Sequence, residues 1–320
     1  LENPSKIKTE IAISQTQGAM DLVRVVINGA AEGTDGAAEV AEAAKTAITA
    51  LQSFHDWLRN DLLPRSAEEW RLGADLYDRA FKLSSGSTME PLEALRRAEA
   101  DFEATRDRMQ TIAMDNWSAF EPKAKRPDNP DEAVRRAIEA MADDHPAPED
   151  FIPALERAAA GLKAFIRERH ILDLPEPDLL TIRPTPDFQA GIFHGQLEQS
   201  PPLAGDGPAI FTTSGSRVYP GPDGEERLIG FLREFNNTSL VGLITHEGYP
   251  GHYVQGRFAA RSPNLVRKVF ADGAYAEGWA CYCEWMMPRE GFGNGDPGLE
   301  LQMLKGELKM MGNAILDIKL

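Results

Sequence analysis

Along most of the chain apolar side chains return every three or four residues, the period of a helix with one buried face. Residues 10–30 carry Ile11, Ile13, Met20, Leu22, Val23 and Val26 with few breakers before Asn28-Gly29. Val40, Ala44, Ala47, Ile48, Leu51, Phe54 and Leu58 keep the same step until Leu63-Pro64. Ser66 with Glu69 has the form of a capping box and predicts a helix bearing Trp70, Leu72, Leu76, Tyr77 and Phe81. After the Ser84-Ser85-Gly86 turn, Ser87 with Glu90 predicts another start, with Leu92, Leu95, Phe102, Met109 and Ile112 as its seam. Asn129-Pro130 opens a helix with Val134, Ile138 and Met141 inward, and a longer one is expected from about Pro148 to Ile171.

From Leu174 the pattern changes, because Pro175, Pro177, Pro184 and Pro186 forbid a continuous helix and favour extended backbone. Residues 188–197 and 208–213 read as short strands, and Pro220-Gly221-Pro222-Asp223-Gly224 as a turn. Helical periodicity returns at Asn236-Asn237-Thr238-Ser239, which reads as a cap ahead of Leu240, Val241, Leu243 and Ile244. Ser262-Pro263 predicts a further start, and a helix is expected to resume after Asp272-Gly273. The last seam, Leu301, Leu304, Leu308, Met311, Ile315 and Ile318, begins behind Asp296-Pro297 and reaches the final residue without a stop signal. The sequence is therefore expected to be a piece cut inside helices at both ends. Its organisation reads as a helical region over 1–173, a Pro/Gly-rich segment of extended backbone or short strands over 174–235, and helices over 236–320, together one mainly α unit.

Composition narrows the possible functions. A net charge of −16 repels phosphate backbones and speaks against nucleic-acid binding. No apolar run approaches the roughly 18–20 residues needed to span a membrane. A cytoplasmic location is expected, with secretion or a periplasmic location left open by the cut N-terminus. Two cysteines, Cys281 and Cys283, sit two apart on an expected helix, where they face different ways and form no disulfide; both are expected to pack as small apolar residues, with a Cys-x-Cys metal site as the alternative.

The chemistry concentrates in His246-Glu247-Gly248-Tyr249-Pro250-Gly251-His252. A zinc hydrolase of the His-Glu-x-x-His kind needs two imidazoles one turn apart, with the glutamate after the first acting as general base. Here the second histidine follows six residues after the first, which on a regular helix places it about 120° away. Removing Pro250-Gly251 leaves the spacing zinc requires. Pro250 breaks helical hydrogen bonding and Gly251 takes backbone angles closed to other residues, so the stretch reads as a metal helix opened by a two-residue bulge. A third ligand is sought on the next helix, where Glu277 and Glu284 share a face. Glu277 is the first choice, because small and aromatic neighbours would make an uncompensated carboxylate costly to bury, and Glu284 is the reserve.

The pairing of His246-Glu247-x-x-Pro250-Gly251-His252 with Glu277-Gly278-Trp279-Ala280-x-Tyr282 resembles the bacterial family catalogued as domain of unknown function 885, whose members are taken for zinc peptidases distantly similar to thermolysin-like and carboxypeptidase enzymes. The stretch from Phe54 to Arg65, followed by Trp70, Gly73 and Tyr77, is similar to that family's helical N-terminal region. The resemblance implies a multi-helical zinc-peptidase-like architecture, His246, His252 and Glu277 as ligands, and Glu247 as base. The family commonly carries a second histidine where this chain has Tyr253.

The expected mechanism is hydrolysis of a peptide or small amide with one zinc ion. Tyr249, Tyr253, Tyr275, Tyr282 and His194 are the nearby donors considered for the oxyanion or the substrate. Two other readings fit the same residues: a hydrolase of other amides or esters, and a helical binding protein whose histidines are structural.

Overall fold

A computed structural model describes residues 4–185, 195–215 and 223–320. The chain divides into two compact units, Leu1–Tyr77 and Asp78–Leu320. The first is a set of helices: α1 (Lys6–Asp21) runs through a π-helical turn (Leu22–Ile27) into α2 (Asn28–Ala31), and α3 (Ala37–Trp57) packs back against α1. A second π turn (Leu58–Leu62) and a 3-10 turn (Leu63–Arg65) end it at Pro64, as the sequence predicts. The expected capping box does not form. The Ser66 hydroxyl donates to the Leu62 carbonyl, and Glu69 accepts from the Arg71 amide, so both side chains serve turns. Gly73 takes a positive φ of 75°, and α4 (Ala74–Ser85) starts only beyond it.

In the second unit, α5 (Pro91–Asp115) begins at a proline in the first turn and not at Ser87, whose hydroxyl accepts from the Met89 amide. The short α6 (Trp117–Phe120) follows, and α7 (Pro130–Asp143) starts as expected, with the Asn129 side chain accepting from the amides of Asp131 and Glu132. Met109, Ile112, Trp117, Ala137, Leu301 and Leu304 form one buried cluster, in which α14 (Pro297–Lys319) lies along α5. α8 (Phe151–Arg169) ends on His170 in the left-handed conformation.

Three strands follow. β1 (Leu180–Pro184) runs parallel to β3 (Ala209–Thr213), and β2 (Gly195–Gln199) pairs with β3 in antiparallel register, giving the order β1-β3-β2. The sequence reading anticipated β2 and β3 in part and missed β1, whose register delivers Pro184 to the strand end. Alternate residues of β3 are buried, and Phe211 joins Phe151, Leu155, Leu162 and Ile166 of α8 in the larger core. Burying such a side chain contributes about 1.5–3 kcal/mol. The same core takes Leu228, Phe231 and Leu232 from α9 (Gly224–Glu234), Leu240 and Ile244 from α10 (Ser239–Glu247), and Met287 from α13 (Gly273–Arg289). The change of composition near Leu174 thus separates helical from extended backbone inside one compact unit.

Candidate metal centre

α10 is anchored at its start by Asn236, whose side chain accepts from the amides of Thr238 and Ser239 at 3.1 Å each. Its apolar turns pack on α8 and α13, which fixes the last turn where His246 and Glu247 sit. There the helix stops. The amides of Gly248 and Tyr249 both reach the Ile244 carbonyl at 2.9 Å, and the Gly251 amide reaches the Thr245 carbonyl at 3.0 Å. A new helix, α11 (His252–Ala260), begins with the second histidine. The sequence reading of one helix with a bulge is thus replaced by two helices joined through Gly248–Gly251. Gly251 is indispensable to that junction, since a Cβ there would lie 1.8 Å from the His246 carbonyl oxygen and 2.4 Å from that of Thr245.

The outcome for the imidazoles is the one the spacing argument requires. The rings of His246 and His252 stand 4.6 Å apart between centroids, nearly perpendicular. Downstream, Asn264 and not Ser262 caps the short α12 (Leu265–Val269), accepting from the amides of Val266 and Arg267, while Ser262 accepts from the Asn264 amide. Asp272 then caps α13 by accepting from the Tyr275 amide. Along α13, Glu277, Cys281 and Glu284 fall on the face turned to His246.

Glu277 faces both imidazoles, with one carboxylate oxygen 3.4 Å from His246 Nε2 and the other 3.6 Å from His252 Nε2. One donor atom from each of the three residues lies within 4.8 Å of the others. Glu284 occupies the other side of the first ring, with Oε1 2.7 Å from His246 Nδ1. Such a carboxylate fixes ring orientation and leaves Nε2 free to act as a ligand. Two nitrogens and a carboxylate oxygen converging in this way suit a zinc ion. The burial argument for Glu277 does not hold, because its side chain is 67% exposed; its placement opposite the two rings is what qualifies it.

Charges around the site shift one another. Burial pushes His246 down, but hydrogen bonding with Cys281 and the adjacent Glu284 carboxylate overcome that and raise it to about 10. Burial and the charge of His246 hold His252 below the usual imidazole value. Burial raises Glu247 above the ordinary carboxylate range; His246 opposes that and the carboxylates of Glu277 and Glu284 add to it. Glu247 and His246 open onto a cavity of about 520 Å³ whose wall includes Gly195 at the start of β2 and Glu284.

The tyrosines are otherwise engaged. Tyr249 is buried and donates to Asp178 Oδ1 at 2.5 Å, and Tyr253 is buried, with its oxygen accepting from the Leu179 amide at 2.7 Å and from Arg257 at 2.9 Å. These two hydroxyls, considered above as oxyanion or substrate donors, tie the junction to the chain before β1. Tyr282 lies at tilted angles between Trp279 and Trp285 and is exposed. Tyr275 lines a separate cleft with Trp279 and Phe270. His194 lies outside the described residues. Sequence reasoning missed Asp178 and the pairing of buried Arg257 with Asp206 at 2.9 Å, and it favoured a packing role for Cys281, which faces His246 while Cys283 is fully buried. Only Cys281 carried a readable signal, its position four residues after Glu277.

The model of the family described as bacterial proteins of unknown function (DUF885) matches residues 2–320. The chain belongs to that family. It is similar to a protein of unknown function from Shewanella oneidensis, provisionally described as a lipoprotein, with 26% identity and a TM-score of 0.77 over 99% of this chain and 57% of that one. A second protein provisionally described as a lipoprotein, from Colwellia psychrerythraea, shares the fold at 20% identity and a TM-score of 0.72, over 98% of this chain and 54% of that one. The chain thus spans a little over half the length of either. No curated protein matches it.

Proposed function

We propose that this member of the family is a metal-dependent hydrolase, and specifically a zinc peptidase. The convergence of His246 Nε2, His252 Nε2 and the Glu277 carboxylate carries this reading. These three residues would hold the ion. When bound, zinc supplies a Lewis acid that acidifies water and polarises a carbonyl. Glu284 keeps the first imidazole in the tautomer and orientation that present Nε2. Glu247, half-buried at the cavity and with its proton affinity raised, accepts the proton of the attacking water at its carboxylate and returns it to the leaving amine.

The sheet supports a peptide over other amides and esters. Among the described residues β2 pairs with β3 alone and forms the edge of the sheet, and Gly195 at its start meets the cavity beside His246. An extended peptide can add main-chain hydrogen bonds to such an edge. The lipoprotein description of the Shewanella oneidensis protein supports a secreted or envelope-associated location, in place of the cytoplasm.

Metal analysis with peptide-library digestion tests the proposal. The purified chain should take up one zinc ion and cleave peptides. Glu247→Gln should lower turnover by roughly 10²–10⁴-fold with the same metal content. Zinc uptake unchanged in a His246→Ala/His252→Ala variant would overturn the assignment.

A further inference from the structure

The face of α13 that supplies Glu277 presents a second group of donors one turn further on. A ring nitrogen of His246, the Cys281 thiol and a Glu284 carboxylate oxygen lie within 4.8 Å of one another. All three side chains are half-buried and tied into the protein, Glu284 to His246 Nδ1 at 2.7 Å and Cys281 to the Met310 thioether of α14, with 3.8 Å between the sulfurs. The donor chemistry differs from that of the first group. His246, His252 and Glu277 offer only nitrogen and oxygen, whereas this group adds a thiol, with a thioether beside it. Thiolate and thioether sulfur select soft cations, and geometry and ligand type decide selectivity where raw affinity does not.

We propose that His246, Cys281 and Glu284 form a distinct binding site for a soft, thiophilic cation, with the Met310 sulfur as an additional donor. Binding releases the thiol proton, because only the thiolate is a metal ligand. Filling the site also replaces the hydrogen bond between Glu284 and His246 by bonds from both residues to the cation. The inference does not depend on the hydrolase reading: the two groups share only His246, and Cys281 and Glu284 belong to the second alone.

Titration of the metal-free full chain with Cd2+ alone, in a phosphine reductant, tests it. The expected result is the ultraviolet thiolate-to-cadmium charge-transfer band, saturating at the amplitude of a single thiolate. The band should persist in His252→Ala/Glu277→Gln, which dismantles only the first donor group, and in Cys283→Ser. It should vanish in Cys281→Ser and need more Cd2+ in Glu284→Gln. A wild-type protein without the band, a band that survives Cys281→Ser, or one lost on removing His252 and Glu277 overturns the proposal. If Cys281→Ser does not fold, the cadmium NMR shift of the wild-type protein decides in its place: a resonance in the thiolate-ligated range upholds the site, and one in the nitrogen/oxygen range refutes it. Zinc uptake without a cadmium–thiolate signal would leave the peptidase reading standing while removing this one.

Discussion

Glu284 and Asp178 illustrate how single carboxylates with no place in the motif hold its parts. Glu284 sits 2.7 Å from His246 Nδ1, and replacing such a supporting group typically costs 10–100-fold in metal affinity. Glu284→Gln is therefore expected to weaken zinc binding by roughly that factor, read by competition with a chromophoric chelator, while leaving the fold intact by circular dichroism. Asp178 takes a hydrogen bond from Tyr249 and an ion pair from Lys163 at 2.8 Å. Burial opposes its ionisation, yet these two partners hold its carboxyl below the usual aspartate range. A depressed carboxylate adds stability that is complete above the unfolded value and lost as pH falls through the folded one. The melting-temperature gap between wild type and Asp178→Asn should stay constant near neutrality and close below about pH 4. A gap that widens in acid would contradict this account.

The junction between α10 and α11 turns a six-residue spacing into two imidazoles 4.6 Å apart between centroids. The sequence alone showed that something must bend there, because Pro250 cannot continue the helix and Gly251 permits unusual angles. It did not show that the helix ends completely, since that depends on carbonyls of the preceding turn accepting from the junction amides. Gly251→Ala is expected to destabilise the protein by about 1–3 kcal/mol or more, because the atoms it meets are backbone and cannot rotate away. The same variant should lose zinc, as measured by thermal melting with metal analysis. Helix existence was legible wherever a long seam recurred, as in α3, α7, α8 and α14. Starts were less so: Ser66, Ser87 and Ser262 all look like caps, but each side chain bonds locally in a turn. β1 was hidden because a stretch flanked by Pro177 and ending on Pro184 resembles a loop until its partner strand is known.

For the protein as a whole, local spacing singled out His246 and His252, and Glu277 was put ahead of Glu284 for a reason the structure does not support. The motif located the residues; only the folded arrangement of α10, α11 and α13 distinguishes a carboxylate facing two Nε2 atoms from one facing Nδ1. What Tyr249 and Tyr253 bond to was not legible, because their partners, Asp178 and the Leu179 amide, lie more than 70 positions earlier in the chain. A tyrosine near a ligand in sequence says little about what its oxygen meets. The acidic balance of the molecule coexists with local pairings such as Arg257 and Arg261 with Asp206, which fasten α11 to the turn before β3.

Between His252 and Glu277 the backbone passes through α12, where Leu265, Val266, Val269 and Phe270 are all exposed, the last by 74%. An ion gripped at both ends would clasp this segment like the pin of a brooch. Chelation should then convert it into a slack tether open to enzymatic nicking. Brief digestion with chymotrypsin, followed by mass mapping, is expected to find new cuts at Leu265 or Phe270 after chelator treatment and fewer once zinc is restored.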